Sequence, residues 1–477
     1  MGFASIFFCF RVKVRGVSTS STNHGFGNEA PAKKQSILNK TVLAWSLWDW
    51  GSAAFNAVAT TFVFSVYLTS GMFADTDKAS ESLSLGLTIA GFVIALLAPI
   101  TGQRADRRGK GTFWLGFNTY VVVMLTGMMF FVHPESALGP LGAMWLGIAL
   151  LGFGNIFFEF ASVNYNAMLA RVSTPKTMGR VSGLGWGLGY VGGIILLLIL
   201  YFGFIAPEVG WFGVTADNGL NIRVSMLISA LWFGLSTIPV LIAVPGRKVA
   251  GADEAGRESI IESYKLLFKT IKDLWNTSPH TIFFLIASAI FRDGLAGVFT
   301  FGAIIAAGTF GFSAGDVLIF GIVANVVAGI ATIGFGALDD KVGPKAVILI
   351  SLIAMVIDGI LIFILHDAGS GTFWVLGLIL TVFVGPCQSA SRTFLARLIP
   401  EGREGEVFGL YATTGRAVSF LAPLCFGLSV RLGSNFVPEG ASSQYWGILG
   451  IVLILFVGLM LILPVKAEQA HLGAFED

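Results

Sequence analysis

Charge is what this chain has least of. Asp, Glu, Lys and Arg make up 12% of its 477 residues, where ordinary soluble domains carry about 25%. Hydrophobic residues are 55% and the mean hydropathy is +0.80. Such a chain cannot hide its apolar surface in its own interior, which excludes a string of soluble domains and makes lipid part of its solvent. Cysteine is almost missing: Cys9, Cys387 and Cys425 are too few and too scattered for a disulfide framework or a zinc site. The five histidines show no metal-ligand spacing. There is no phosphate loop with its Lys-Ser/Thr, no His-Glu-x-x-His and no nucleophile elbow, which argues against an ATP-driven pump or a hydrolase. Gly187-x-Gly189-x-x-Gly192 spells a dinucleotide fingerprint, but it follows no strand and lies inside an apolar run, where small residues let helices press together. The expectation is no cofactor, no metal, no nucleic-acid partner and no enzymatic activity.

What is present is a series of long apolar runs. Twelve are long enough to span a bilayer, near 41–69, 83–102, 112–132, 142–170, 181–206, 223–244, 280–308, 315–337, 346–365, 373–397, 406–430 and 445–464. Helices are expected, because a helix satisfies its own backbone in lipid and no run shows the alternation of a membrane barrel. With the N-terminus in the cytoplasm, 25 of the 30 Lys and Arg fall on the cytoplasmic side. The positive-inside rule then places both ends there. Gly2–Phe10 is apolar but too short to span, and its basic residues follow the run instead of preceding it, so 1–40 reads as a disordered tail. Between the sixth and seventh runs, Ile260, Ile261, Tyr264, Leu267, Phe268, Ile271, Leu274 and Trp275 repeat at helical spacing opposite Lys265, Lys269, Lys272 and Asp273. That is an amphipathic linker helix along the cytoplasmic face. The expected organisation is a six-helix bundle at 41–245, a linker at 246–278, a second bundle at 279–465 and a tail at 466–477.

The two halves echo each other. Gly102, Asp106, Arg107 and Gly109, in the stretch ending at Lys110, recur 234 positions later as Gly336, Asp340, Lys341 and Gly343. Leu169-Ala-Arg171 recurs as Leu395-Ala-Arg397, and Gly183-Leu184 as Gly409-Leu410, each shifted by 226. The first stretch is expected to be a short polar loop with its glycines in a tight turn. Asp106 is expected to meet the start of the eleventh span near Arg403–Val407 and latch the cytoplasmic side shut.

Two six-helix halves carrying a Gly-x-x-x-Asp-Arg-x-Gly-Lys loop resemble the major facilitator transporters. Within that superfamily the chain is similar to the vacuole-effluxer-like branch. The stretches that carry the resemblance are Trp48-Asp49-Trp50 with Ala54-Phe55, Tyr165-Asn166-Ala167, Arg180 through Tyr190, Asp293-Gly294, Ser391-Arg392 through Pro400, and Glu406 through Tyr411 with Gly415-Arg416. The resemblance implies an all-α major facilitator fold and alternating access by rocking two halves. It also implies export of a small organic solute, neutral amino acids as in the vacuolar relatives; a monomer in a bacterial plasma membrane is expected. A multidrug exporter and a non-transporting membrane sensor or scaffold are the alternatives.

Six ionisable residues fall well inside the runs: Asp49, Glu159, Arg292, Asp293, Asp358 and Arg416. Six charges at bilayer depth cost on the order of 15–20 kcal/mol, so they must face water, pair or be protonated. In the facilitator plan spans one, four, seven and eleven line the cavity. Asp49, Glu159, Arg292, Asp293 and Arg416 are therefore candidates for binding substrate or a coupling proton, with Asn166 beside them. Asp358, on the peripheral ninth span, reads as a member of a structural pair. Arg392 sits near enough to the cytoplasmic end to snorkel. Trp48, Trp50 and Trp186 could stack on a substrate or fill helix interfaces, the second reading being preferred.

Overall fold

The structure is a computed structural model, describing residues 39–244, 246, 259–400, 402–438 and 443–466. The expected tails therefore lie almost wholly outside the described residues. Among the described residues, twelve helices are long and apolar enough to cross a membrane. They are α1 (Lys40–Leu68), α2 (Lys78–Arg107), α3 (Gly111–Phe131), α4 (Gly139–Val172), α5 (Met178–Ile205), α6 (Asp217–Ala243), α7 (Pro279–Gly308), α8 (Ile319–Val342), α9 (Pro344–Ile364), α10 (Ser370–Leu398), α11 (Glu404–Gly433) and α12 (Gln444–Ile462). The linker helix, Ile260–Thr277, starts at a capping box in which Ser259 and Glu262 satisfy each other's backbone amides. It is succeeded at once by α7, whose Pro279 occupies the first helical position, where its missing amide costs nothing. The twelve helices form two pseudo-symmetric six-helix bundles with a major facilitator fold.

Helices α2, α4, α8 and α10 end, and α1, α5, α7 and α11 begin, at the same end of the molecule, called here the basic end. Several helices are interrupted along their length. α1 is α-helical to Ala53 and then runs as a wide π turn over Ala54–Phe62. α11 breaks after Val418 and restarts at Leu421. In α2, Pro99 cannot donate to the carbonyl of Ala95, and the Thr413 hydroxyl of α11 donates to it instead at 2.9 Å. A helix break in one half is thus satisfied by the other half.

One expectation needs correction. Gly102–Arg107 is not loop but the last turns of α2, and Gly336–Lys341 is likewise the end of α8. Of the glycines in these two stretches, Gly109 (φ 61°) and Gly343 (φ 88°) alone lie in the left-handed region that a turn requires. Gly102 serves another purpose: a Cβ there would collide with the Gly405 backbone of α11, so its lack of side chain is what lets α2 and α11 touch.

Candidate functional site

At the basic end the halves are held by two pseudo-symmetric helix-end contacts. Asp106 Oδ2 accepts from the backbone amide of Glu406 at 2.9 Å, and Gln103 Nε2 donates to Glu406 Oε1 at 2.6 Å. Asp340 accepts from the amides of Gly179 (2.7 Å) and Arg180 (3.2 Å), and from Arg180 Nε at 2.6 Å. Each aspartate closes a helix in one half and caps the first turn of a helix in the other, where unpaired amides and the helix dipole favour an anion. Arg397 adds contacts to Asp339 (3.2 Å) and Asp340 (3.8 Å). Arg107, Lys110 and Lys341 are exposed beside these contacts.

The contacts need bare backbone. A Cβ on Gly183 would lie 2.6 Å from Thr332 O, and one on Gly336 would lie 2.7 Å from Gly179 O. The alternate glycines of α5 face the other way: Cβ atoms on Gly185 and Gly192 would meet Asp49, Trp45 and Trp50 of α1. One glycine row therefore serves the contact between halves, and the other serves packing inside the first half. α11 is buried from Gly405 to Ala412 and mostly exposed from Ala417 onward, so the seam is tight at the basic end and loosens beyond the middle.

Just inside this closure lies a polar cluster. Asp49 Oδ2 accepts from Tyr165 Oη at 2.9 Å and pairs with Arg392 Nη1 at 3.4 Å. The Arg392 guanidinium also donates to Asn166 Oδ1 (3.2 Å), Ser182 Oγ (3.0 Å) and Ser182 O (2.8 Å). Ser182 in turn meets Ser389 at 2.9 Å. Trp45 and Trp48 stack on the two sides of Tyr165, with ring centroids 4.4 and 4.3 Å away. Those rings fix the phenol that holds the carboxylate.

Arg392 does not snorkel. It is 3% exposed and turned inward, from α10 across the seam onto acceptors of α1, α4 and α5. Counting distance to the helix end missed this, because the acceptors that draw it inward lie more than 200 residues earlier in sequence.

A second cluster lies deeper along α11. Arg416 Nη2 reaches Glu159 Oε2 at 3.2 Å and Asn155 Oδ1 at 3.4 Å. The guanidinium of Arg292 stands over the Tyr411 ring, 3.6 Å from its centroid, and donates to Tyr411 O at 3.2 Å. Among the described residues no carboxylate pairs with Arg292. Tyr411 Oη is anchored by Ser391 at 2.7 Å. Asp293 points elsewhere: it is buried and accepts from the Ala422 amide at 2.6 Å, capping the restarted segment of α11. Asp358 is buried and, among the described residues, forms no ion pair, so the structural pair expected for it is not found.

Of the tryptophans, Trp48 is buried against Tyr165, Phe158 and Phe233. Trp50 stacks on Trp232 of α6, away from Asp49. Both fill helix interfaces. Trp186 is half-buried, its ring 5.7 Å from the Arg392 guanidinium, and its indole N–H has no partner among the described residues.

Two six-helix halves, sealed at one end and carrying charged clusters on their shared seam, define a polytopic membrane transporter of the major facilitator type. The chain belongs to the family described as vacuole effluxer Atg22 like, which it matches over residues 72–473. It is 28% identical over 417 residues to an uncharacterized MFS-type transporter, YxiO, of Bacillus subtilis, covering 87% of this chain and 94% of that one. It is 24% identical over 317 residues to autophagy-related protein 22 of Cryptococcus neoformans, covering 63% of this chain and 55% of that one. The chain thus spans nearly all of the bacterial relative and about half of the fungal one. Among solved structures it resembles the proton:xylose symporter XylE (TM-score 0.65, 14% identity, covering 89% of this chain and 94% of that one). It also resembles a bacterial homologue of the iron transporter ferroportin (TM-score 0.63, 15% identity, 90% and 98%). At those identities the likeness is one of fold. The family is one of transporters, not an enzyme class.

Proposed function

We propose that the protein is a secondary active transporter, working as a monomer by alternating access, that couples proton movement to export of a small organic solute. The observation that carries this reading is the Arg392 guanidinium, supplied by one half and seated on Asp49, Asn166 and Ser182 of the other. A titratable carboxylate whose partner comes from across a moving seam couples its protonation to that movement, since a neutral Asp49 holds the guanidinium less tightly. One charge crossing 100 mV contributes about 2.3 kcal/mol, enough to drive a substantial gradient.

The solute class is neutral amino acids, as the family resemblance implies. A zwitterion suits the deeper cluster: Arg292 has no carboxylate partner among the described residues, and Glu159 offers an acid to an ammonium group. With 41–245 and 279–465 as the rocking halves and the basic end in the cytoplasm of a bacterial cell, the closure at Asp106 and Asp340 makes this an outward-facing arrangement.

The test is purified protein in liposomes with an imposed pH gradient, assayed by counterflow of amino acids first selected by thermal shift. Asp49→Asn is expected to exchange substrate without responding to the gradient. If it transports as fast as the parent and still responds, Asp49 is not the coupling site.

A further inference from the structure

The linker helix does more than join two halves, because its circumference divides into three arcs. Ser263, Leu267, Thr270 and Leu274 are buried. Leu267 and Leu274 join the core beside α2 and α7, while Ser263 accepts from Arg104 of α2 at 3.0 Å. Tyr264 Oη donates to Leu96 O, one turn before Pro99, at 2.9 Å. The helix is therefore strapped to α2, the helix that closes against α11.

On a second arc, about 130° away at about 100° per residue, stand Ile261, Phe268 and Trp275, which are 69%, 67% and 53% exposed. Their seven-residue spacing keeps them within about 40° of one another. Lys272, Lys265 and Lys269 follow next around the circumference, and the acids Glu262 and Asp273 come after them. The helix runs through Ser278 straight into α7, and Trp275 packs on Phe283 of that helix at 5.8 Å. Its height is thereby fixed at the end of a membrane span. An apolar row bordered on one side by lysines, at that height, matches the acyl boundary and the headgroup layer of a bilayer.

We propose that this face docks on anionic phospholipid headgroups. Lys265, Lys269 and Lys272 engage the headgroups, while Ile261, Phe268 and Trp275 enter the acyl boundary. Through its hold on α2, the docked helix favours the closed state of the α2–α11 contact. Charge complementarity selects the occupant: a row of three lysines beside an apolar strip has its counterpart in negatively charged lipid, each basic residue near such a surface adding to the attraction.

The experiment uses full-length protein lacking Cys9, Cys387 and Cys425, in vesicles of phosphatidylcholine with and without phosphatidylglycerol. A nitroxide on Phe268→Cys is expected to be relaxed by oxygen more than by a water-soluble nickel chelate. A second pair of labels, replacing Lys110 and Lys341 at the basic ends of the two halves, reports closure by their distance distribution. Phosphatidylglycerol is expected to raise the ratio of closed to open population about threefold, and K265Q/K269Q/K272Q to abolish that response. A position-268 label that stays accessible to the chelate in anionic vesicles overturns the proposal, as does a distance distribution indifferent to lipid charge. Shielding that appears only on adding soluble protein also overturns it, in favour of a protein partner. No readout needs a substrate, so failure of lipid docking and failure of transport are distinguishable.

Discussion

Replacing Arg392 by Gln should move the whole molecule between its two states more than it unfolds it. The guanidinium makes four hydrogen bonds, all to acceptors of the opposite half: Asp49 Oδ2, Asn166 Oδ1, Ser182 Oγ and Ser182 O. Hydrogen bonds involving a charged group contribute about 1.5–3 kcal/mol each, but these four share one group and do not add. The better guide is the cost of leaving a buried charge without its partner, about 3–5 kcal/mol. That cost falls only on the state in which the basic end is closed and Asp49 is covered; once the seam opens, water reaches the carboxylate. Taking about 3 kcal/mol, the ratio of closed to open molecules should fall about a hundredfold, at 1.4 kcal/mol per factor of ten. The assay is the distance distribution between labels replacing Lys110 and Lys341. Asp49→Asn in the Arg392→Gln background should restore much of the closed population, because it removes the buried charge that the first substitution leaves unpaired. A closed population that changes by less than about twofold, or double-variant effects that add in full, would refute the role of this pair as a tie across the seam.

Four further outcomes follow from the contacts. Asp340→Ala, which strips the caps from Gly179 and Arg180, and Asp106→Ala, which strips the Glu406 amide, should each weaken closure by about 1–2 kcal/mol, read by the same labels. Gly405→Val should hold α2 and α11 apart, since its Cβ would lie 2.8 Å from Gly102 O; accessibility of a cysteine at Thr413 to aqueous reagent measures this. Thr413→Val leaves the Ala95 carbonyl opposite Pro99 without a donor and should lower stability by about 1–3 kcal/mol, seen as a reduced Tm. The N-terminus of the linker helix should fray in acid. The Ser259 amide and hydroxyl hold the Glu262 carboxyl below its ordinary value, so its contribution is full above pH 4.5 and is lost as pH falls through the lowered value. Hydrogen exchange at Ser263 follows the fraying.

The spans were legible because a bilayer imposes a minimum length of apolar residues on a helix, and all twelve fall where the runs are. Their ends were not, since helices α2 and α8 continue for a further turn or more on polar residues that lipid does not select. The Asp106 contact could be read from the sequence because a helix start is an anion site wherever it occurs. Arg392 could not, for hydropathy treats each segment separately and an inward guanidinium is stabilised only by acceptors from other segments. Asp49, Glu159 and Arg416 do make contacts across the seam, whereas Arg292 packs on Tyr411 of its own half and Asp293 is taken up by a helix break that no periodicity announces.

The two closures share a geometry and differ in chemistry, and the difference bears on how the seam opens. Duplication sets Gly179 opposite Gly405 and Arg180 opposite Glu406, so that each aspartate meets an equivalent helix start. On the α5–α8 side the second residue is a cation, and Asp340 receives its guanidinium as well as two amides. On the α2–α11 side it is an acid, whose carboxylate accepts from the Gln103 amide, while Asp106 accepts from the Glu406 backbone amide. An ion pair half-exposed to water is weakened by salt more than a buried contact between a carboxylate and backbone amides. The α2–α11 contact is also the one to which the linker helix is strapped, through Arg104 and the carbonyl of Leu96. Raising ionic strength should therefore loosen α5 from α8 before α2 from α11. Labels placed across each contact separately should show two midpoints, and a single shared midpoint would mean that the seam opens as one rigid unit.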